Sequence, residues 1–483
     1  MKKTIIKSFL LAIVSLNFSC TTKLEIFNIK VPISELNNNE IPNIRVSGEN
    51  RIVFMFITQE EQDIIKYLRN NNFDLVIKSL NTNYQNKKDS NSLFNLSTAY
   101  YFIKDYSKAI KNFEELVNQK FNLAETYNNL GSCYGALGEH EKALEFYQKS
   151  LDTKQILAQV YHNIGVENKI KNKYDIAIQY YSKALEINPN DANSYYNRAN
   201  IYYVVGDYET AIKDYSKAID IGPDNAGFYN NRAITESQKT NIYESSIKDY
   251  TKAIELRPNY IEAYYNRGIA YINLSLYEQA IKDFNKVISL DSNTIGAYYY
   301  LGNAYFNKTE YDKAITYYSK IIELKPDYQK AYNNRGSAYA LIKEYTKAIK
   351  DFSKLIELSP NDYDAYAYRA NAYFYLEQKE SFALAIKDYT KVLELRNDSK
   401  VYLNRGSCYA NLGKTDEAIK DYNEYLKYFP SDSNAFYYRG LAYIEINQKE
   451  KANLDFKKAC ELGEPQACES QKNKTKEDST FIS

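Results

Sequence analysis

Residues 192–225 read ANSYYNRANIYYVVGDYETAIKDYSKAIDIGPDN, and most of the chain is variations on them. Tyr195, Ala199 and Tyr202 recur at helical spacing. Gly206 then interrupts the pattern, Tyr208, Ala211, Tyr215 and Ala218 resume it, and Pro223 ends the unit. The stretch therefore encodes two amphipathic helices and a tight turn. Small residues at Ala199, Ala211 and Ala218 suit points where helices cross closely, and the tyrosines fill the gaps between them. Neither helix can bury its apolar face alone, so such units must stack.

Counted from Ala192, the eighth position recurs along the chain as Ser97, Gly131, Gly165, Ala199, Ala233, Gly268, Gly302, Gly336, Ala370, Gly406 and Gly440. The twentieth is Ala in every unit except for Ser246, which gives eleven repeats. The frame slips by one residue before Ser246 and by three before Ala385, both placed by the pattern in the turn between helices, and loses one after Val392. This pattern of small residues resembles the tetratricopeptide repeat. The family's tryptophan at the fourth position is absent, replaced by tyrosines such as Tyr195, Tyr264, Tyr298, Tyr332 and Tyr366. The resemblance implies an all-α, right-handed superhelical solenoid of stacked antiparallel helix pairs, with a concave groove that takes protein partners.

Composition agrees with that architecture. A chain of 483 residues would ordinarily divide into several compact domains, but a repeat array grows sideways without one large core. Lys plus Arg (62) nearly balances Asp plus Glu (61), so no global basic field exists to collect nucleic acid.

At the N-terminus, residues 1–19 place Lys2, Lys3 and Lys7 before an apolar run, the pattern of an export signal. Ser19 followed by Cys20 resembles a bacterial lipoprotein signal, which implies that Cys20 carries lipid and that a lipid anchor is the chain's only membrane attachment. Residues 20–57 read as a tether, and 51–57, RIVFMFI, as either a short strand or an apolar cover for the end of the array. Residues 58–89 read as a divergent helical N-terminal cap, 90–463 as the eleven repeats, 464–472 as a C-terminal cap and 473–483 as a disordered tail.

Comparing the repeats with one another exposes a correlation. Arg stands at the seventh position in seven repeats (Arg198, Arg232, Arg267, Arg335, Arg369, Arg405, Arg439), and the same repeats carry Asp at the twenty-third (Asp214, Asp249, Asp283, Asp351, Asp388, Asp421, Asp455). The other four have Leu or Ile at the seventh, with Asn112, Phe146, Tyr180 or Tyr317 at the twenty-third. An ion pair inside each repeat, such as Arg198–Asp214, Arg267–Asp283 and Arg335–Asp351, accounts for this.

The sixth position is a row of asparagines, among them Asn197, Asn231, Asn266, Asn334 and Asn404. In the family this position faces the groove, and a side-chain amide matches a peptide backbone by offering both donor and acceptor. The competing reading is that these asparagines meet only water. Aromatics stand at neighbouring groove positions, Tyr196, Tyr203, Tyr265, Tyr299 and Phe306 among them, either as contact surface for a ligand or as inter-helix packing. The carboxylate clamp of chaperone-docking relatives is missing, because no fifth position is Lys and no sixth is Arg.

Cys133 and Cys408 share the tenth position, where the family has Ala, and read as small buried residues. Cys460 and Cys468, in ACELGEPQAC, resemble the cysteine pairs of Sel1-like cousins of the repeat, which implies a disulfide in an exported chain. His140 and His162, the only two histidines, have no Cys or carboxylate at metal-ligand or nucleophile-base spacing, and no phosphate-binding glycine loop occurs. The sequence thus points away from catalysis, cofactors and metals. It points toward an envelope-tethered scaffold holding a protein or an extended peptide. A glycan-binding accessory protein or a purely architectural rod are the alternatives.

Overall fold

The structure is a computed structural model that describes residues 73–240, 243–396 and 398–469. The export signal, Cys20, the tether with its 51–57 segment, the start of the N-terminal cap and the 473–483 tail lie outside those residues. Every regular element described is a helix.

The helices fall into two units, taken in turn. The first unit holds α1 (Phe73–Lys87), α2 (Ser90–Phe102), α3 (Tyr106–Asn118), α4 (Leu123–Ala136), α5 (His140–Asp152), α6 (Ala158–Ile170), α7 (Tyr174–Ile187), α8 (Ala192–Val204), α9 (Tyr208–Ile221), α10 (Ala226–Thr240), α11 (Tyr243–Leu256) and α12 (Ile261–Asn273). The second holds α13 (Tyr277–Leu290), α14 (Ile295–Asn307), α15 (Tyr311–Leu324), α16 (Gln329–Leu341), α17 (Tyr345–Leu358), α18 (Tyr363–Tyr375), α19 (Lys379–Leu395), α20 (Val401–Asn411), α21 (Thr415–Tyr428), α22 (Ser433–Glu445) and α23 (Lys449–Glu461). From α2 onward, even-numbered helices open a repeat and odd-numbered ones close it. Within each unit a helix packs on its chain neighbours, and the opening helices of successive repeats also touch each other. This is the stacked-pair solenoid that the pattern of small residues required.

Among the described residues, the turn inside a repeat is set by one residue at the fifteenth position, in the left-handed region, in every repeat but the fifth, whose turn is not described. Gly206 (φ 85°) and Gly138 (φ 80°) adopt it without strain, while Lys104, Asn172, Ser275, Thr309 and Lys343 adopt it with a side chain. After that turn a side chain such as Asp207 caps the second helix, its carboxylate accepting from the Thr210 N–H at 3.1 Å.

Where the helices cross, the eighth position backs onto an aromatic ring at the twenty-fourth. A Cβ added at Gly302 would stand 2.4 Å from the Tyr318 ring, which is why a residue that costs helix stability is kept in mid-helix. Tyr147, Tyr181, Tyr215, Tyr318, Tyr389 and Tyr422 occupy that ring position and are fully buried.

The structure corrects the expected place of one insertion. The three extra residues before Ala385 do not lengthen a turn. Helix α19 starts directly after Gln378 and runs 17 residues, against 14 for α17. The extra helical turn opens at Gln378, whose backbone N–H donates to Ser381 Oγ at 3.1 Å, and Phe382 packs on Phe374 at 5.8 Å. At the end of the array Cys460 and Cys468 form a disulfide that ties the helical residues 465–469 to α23. Cys133 and Cys408 are free and buried, and desolvation pushes both thiols well above their ordinary pKa.

Candidate peptide-binding face

The arginine row is a structural device with more partners than an ion pair. Arg335 Nε and Nη2 donate to the two Asp351 oxygens at 2.8 and 2.7 Å, and Nη1 donates to Ser319 Oγ of the preceding repeat at 2.9 Å. Arg198 repeats this with Asp214 and Ser182, Arg232 with Asp249 and Ser216, Arg369 with Asp388 and Ser353, Arg405 with Asp421 and Thr390. Arg439 uses Asp455 and Asn423, and Arg267 Nη1 reaches Thr251. The planar fork thus joins two helices of one repeat to the repeat before it.

The guanidinium also lies between two rings of its own helix. Arg335 is 5.8 Å from the Tyr332 ring and 5.9 Å from Tyr339, and Arg405 is 5.5 and 5.9 Å from Tyr402 and Tyr409. In three of the four repeats that lack the arginine, an aromatic at the twenty-third position takes the same slot; the first repeat has Asn112 there. Phe146 packs on Tyr127 and Tyr134 at 6.2 and 5.2 Å, and Tyr317 on Tyr298 and Tyr305 at 6.5 and 5.5 Å. The Arg–Asp correlation is therefore a choice between two fillings of one space. The hydroxyl that receives Nη1 was missed in the sequence, although a signal was there. The twenty-fifth position is Ser, Thr or Asn wherever the next repeat has Arg, and Glu114, Gln148 or Asn285 where it does not.

The asparagine row changes meaning. Asn231 Nδ2 donates to Asn200 Oδ1 of the preceding repeat at 3.0 Å and to Tyr196 Oη at 2.8 Å, and Tyr215 Oη donates to the same Asn200 oxygen at 2.6 Å. Asn334 with Asn303 and Tyr318, and Asn404 with Asn371 and Tyr389, build the same triad. Asn197, Asn231 and Asn334 are 3%, 2% and 2% exposed. For Asn231, Asn334 and Asn404, the expectation of an amide row lying open along a peptide is corrected: these donors hold one repeat to the next. The network needs Asn at the ninth position of the preceding repeat, a partner that only the stacking of repeats brings near.

The aromatics divide in the same way. Tyr265, Tyr299 and Phe306 are buried; Tyr299 packs edge-on to Tyr300 and Tyr328, and Phe306 to Tyr311. Tyr196 and Tyr203 are half-buried. Tyr196 packs on Phe228 at 4.9 Å, and burial pushes its hydroxyl up to about 12. The two histidines are structural links between repeats: His140 Nδ1 meets Glu167 Oε2, and His162 Nδ1 meets Ser194 Oγ, both at 2.7 Å. Among the described residues no cluster of His, Cys, Asp or Glu could hold a metal, and no helix is long and apolar enough to cross a membrane.

Three amide atoms in this network stay without a hydrogen-bond partner. Asn266 meets Ile234 at the ninth position of the preceding repeat, and its buried Nδ2 has no acceptor. Asn200 Nδ2 and Asn230 Oδ1 are likewise buried without a partner. These three atoms sit on the opening helices α8, α10 and α12 of successive repeats in the first unit.

A family model described as "Tetratricopeptide repeat" matches residues 192–225, 261–294, 296–328, 330–362 and 399–432, and others of the same description match 124–190 and 90–122; a "TPR repeat" model matches 239–275. The chain belongs to the tetratricopeptide-repeat family, whose members are typically non-catalytic protein-interaction scaffolds. Heat shock protein STI1 of Saccharomyces cerevisiae is 33% identical over 95 residues, 18% of this chain and 16% of that protein, so the match spans about a sixth of the relative's length. Among solved structures, MamA is 27% identical, covering 36% of this chain and 94% of its own, with a TM-score of 0.34. YrrB, described as a TPR protein with an unusual peptide-binding site, is 24% identical over 38% of this chain and 95% of its own, with a TM-score of 0.36.

Proposed function

We propose that the chain is a non-catalytic scaffold that holds an extended segment of a partner protein along the opening helices of repeats four to six. The observation that supports this is the run of three unpartnered amide atoms, Asn200 Nδ2, Asn230 Oδ1 and Asn266 Nδ2, which brings two donors and one acceptor to a peptide backbone whatever its side chains. Half-buried Tyr196 and Tyr203 flank the run with rigid contact surface. A sugar stacked on ring faces has less to use, because Tyr265 and Tyr299 are 6% and 3% exposed. The rigid repeats would hold the segment without ordering themselves, which keeps the cost of binding low.

The scaffold works at a bacterial envelope, exported by residues 1–19 and held by lipid on Cys20. The Cys460–Cys468 disulfide accords with an oxidising compartment.

A cross-linking capture from intact envelope fractions tests the reading. The native chain is compared with one carrying Asn230→Ala and Asn266→Ala, both checked for an unchanged melting curve. Partners that disappear with those amides support the proposal; an unchanged partner list refutes it.

A further inference from the structure

Lys169, at the twelfth position of the third repeat near the end of α6, is 8% exposed. Its Nζ donates one hydrogen bond, to Asn197 Oδ1 at 3.1 Å, and among the described residues the side chain has no ion pair. An ammonium brings three donors and a full charge, and removing it from water without a counter-charge costs several kcal/mol. The chain's half-buried arginines are treated otherwise, each of Arg198, Arg232, Arg335, Arg369, Arg405 and Arg439 facing a carboxylate across two hydrogen bonds. Desolvation alone pulls the Lys169 pKa down to about 8, as befits a cation with no carboxylate beside it.

The surroundings favour a ligand coming to it. The same register in the preceding repeat is Gly135, which brings no side chain there, and in the following repeat it is half-buried Tyr203. Downstream on the same face of the first unit come the unspent amides of Asn200, Asn230 and Asn266. Two donors and one acceptor for a backbone thus continue from a buried cation that lacks its anion.

We infer that Lys169 anchors a carboxylate of the bound segment, so the partner is acidic where it crosses the third repeat while its backbone runs over repeats four to six. The inference rests on the peptide-binding reading above. A side-chain Asp or Glu and a C-terminal carboxylate share this chemistry, and the test separates them.

Two random decapeptide libraries, one amidated at the C-terminus and one free, are selected on the immobilised full-length chain and on its Lys169→Gln variant. Enrichment of Asp or Glu at one register of the amidated library, lost with Lys169→Gln while other peptides still bind, establishes a side-chain anchor. Selection from the free library alone, again lost with Lys169→Gln, establishes the C-terminal form. For a selected peptide, exchanging its acidic group for the amide should weaken binding to the native chain about tenfold or more, and should weaken binding to Lys169→Gln no further. That peptide-side exchange decides the matter even if Lys169→Gln folds poorly. Peptides selected without acidic preference would overturn the Lys169 anchor and leave the scaffold reading standing. No selection from either library would overturn both.

Discussion

At Arg335 a guanidinium holds two carboxylate oxygens, a serine hydroxyl and two tyrosine rings at once, and its neighbours are built around its charge. Removing it leaves Asp351, 3% exposed, without a counter-ion. Arg335→Leu should therefore destabilise the chain by about 3–5 kcal/mol in urea unfolding. Adding Asp351→Tyr should recover at least half of that, because Leu301 with Tyr317 fills the same slot two helices earlier. Equal losses in the single and double variants would show that the slot is not interchangeable. The pH dependence carries the same logic. Burial already raises the Asp351 pKa against the pull of Arg335. Without the arginine it rises further, so the folded state binds a proton more tightly than the unfolded one. The deficit of the single variant should shrink as pH falls through that pKa and be largest above it.

Among the elements, the turns carry strain that can be relieved one residue at a time. Thr309, β-branched, sits at φ 61° where other repeats place Gly206 or Gly413. Thr309→Gly should raise stability by about 1 kcal/mol, and a lowered melting temperature would contradict the turn argument. Substitution at Gly302 should run the other way. Ala is the better helix former by about 1 kcal/mol, but its Cβ meets the Tyr318 ring, and Gly302→Ala should cost a net 1–2 kcal/mol or so. Ala199 shows that the helix tolerates a methyl at this position, so the outcome reads how far the Tyr318 ring can shift.

For the whole molecule, stability is distributed along the repeats, and urea unfolding should spread over several overlapping transitions. The disulfide acts at the last of them. Replacing Cys460 and Cys468 by Ser should lower local stability by about 2–3 kcal/mol and speed amide exchange in α23 and residues 465–469, leaving distant repeats unchanged. Cys20→Ser should move the full-length chain from the detergent phase to the aqueous phase in a partition assay, and an unmoved chain would rule out the lipid anchor.

What the sequence determined by itself was the unit and its register. Small residues at the eighth and twentieth positions, a turn at the fifteenth and Arg paired with Asp are local spacings, and helical periodicity makes local spacing legible. What only the tertiary structure decided lies between repeats. Asn231 looked like a ligand group because Asn200 and Tyr196, whose oxygens take its Nδ2 donors, come from the previous repeat and become neighbours only when repeats stack. The third arm of each arginine and the uncompensated charge of Lys169 are of the same kind. Each depends on what stands 15 to 35 residues away along the chain, across a helix interface that no single helical period contains.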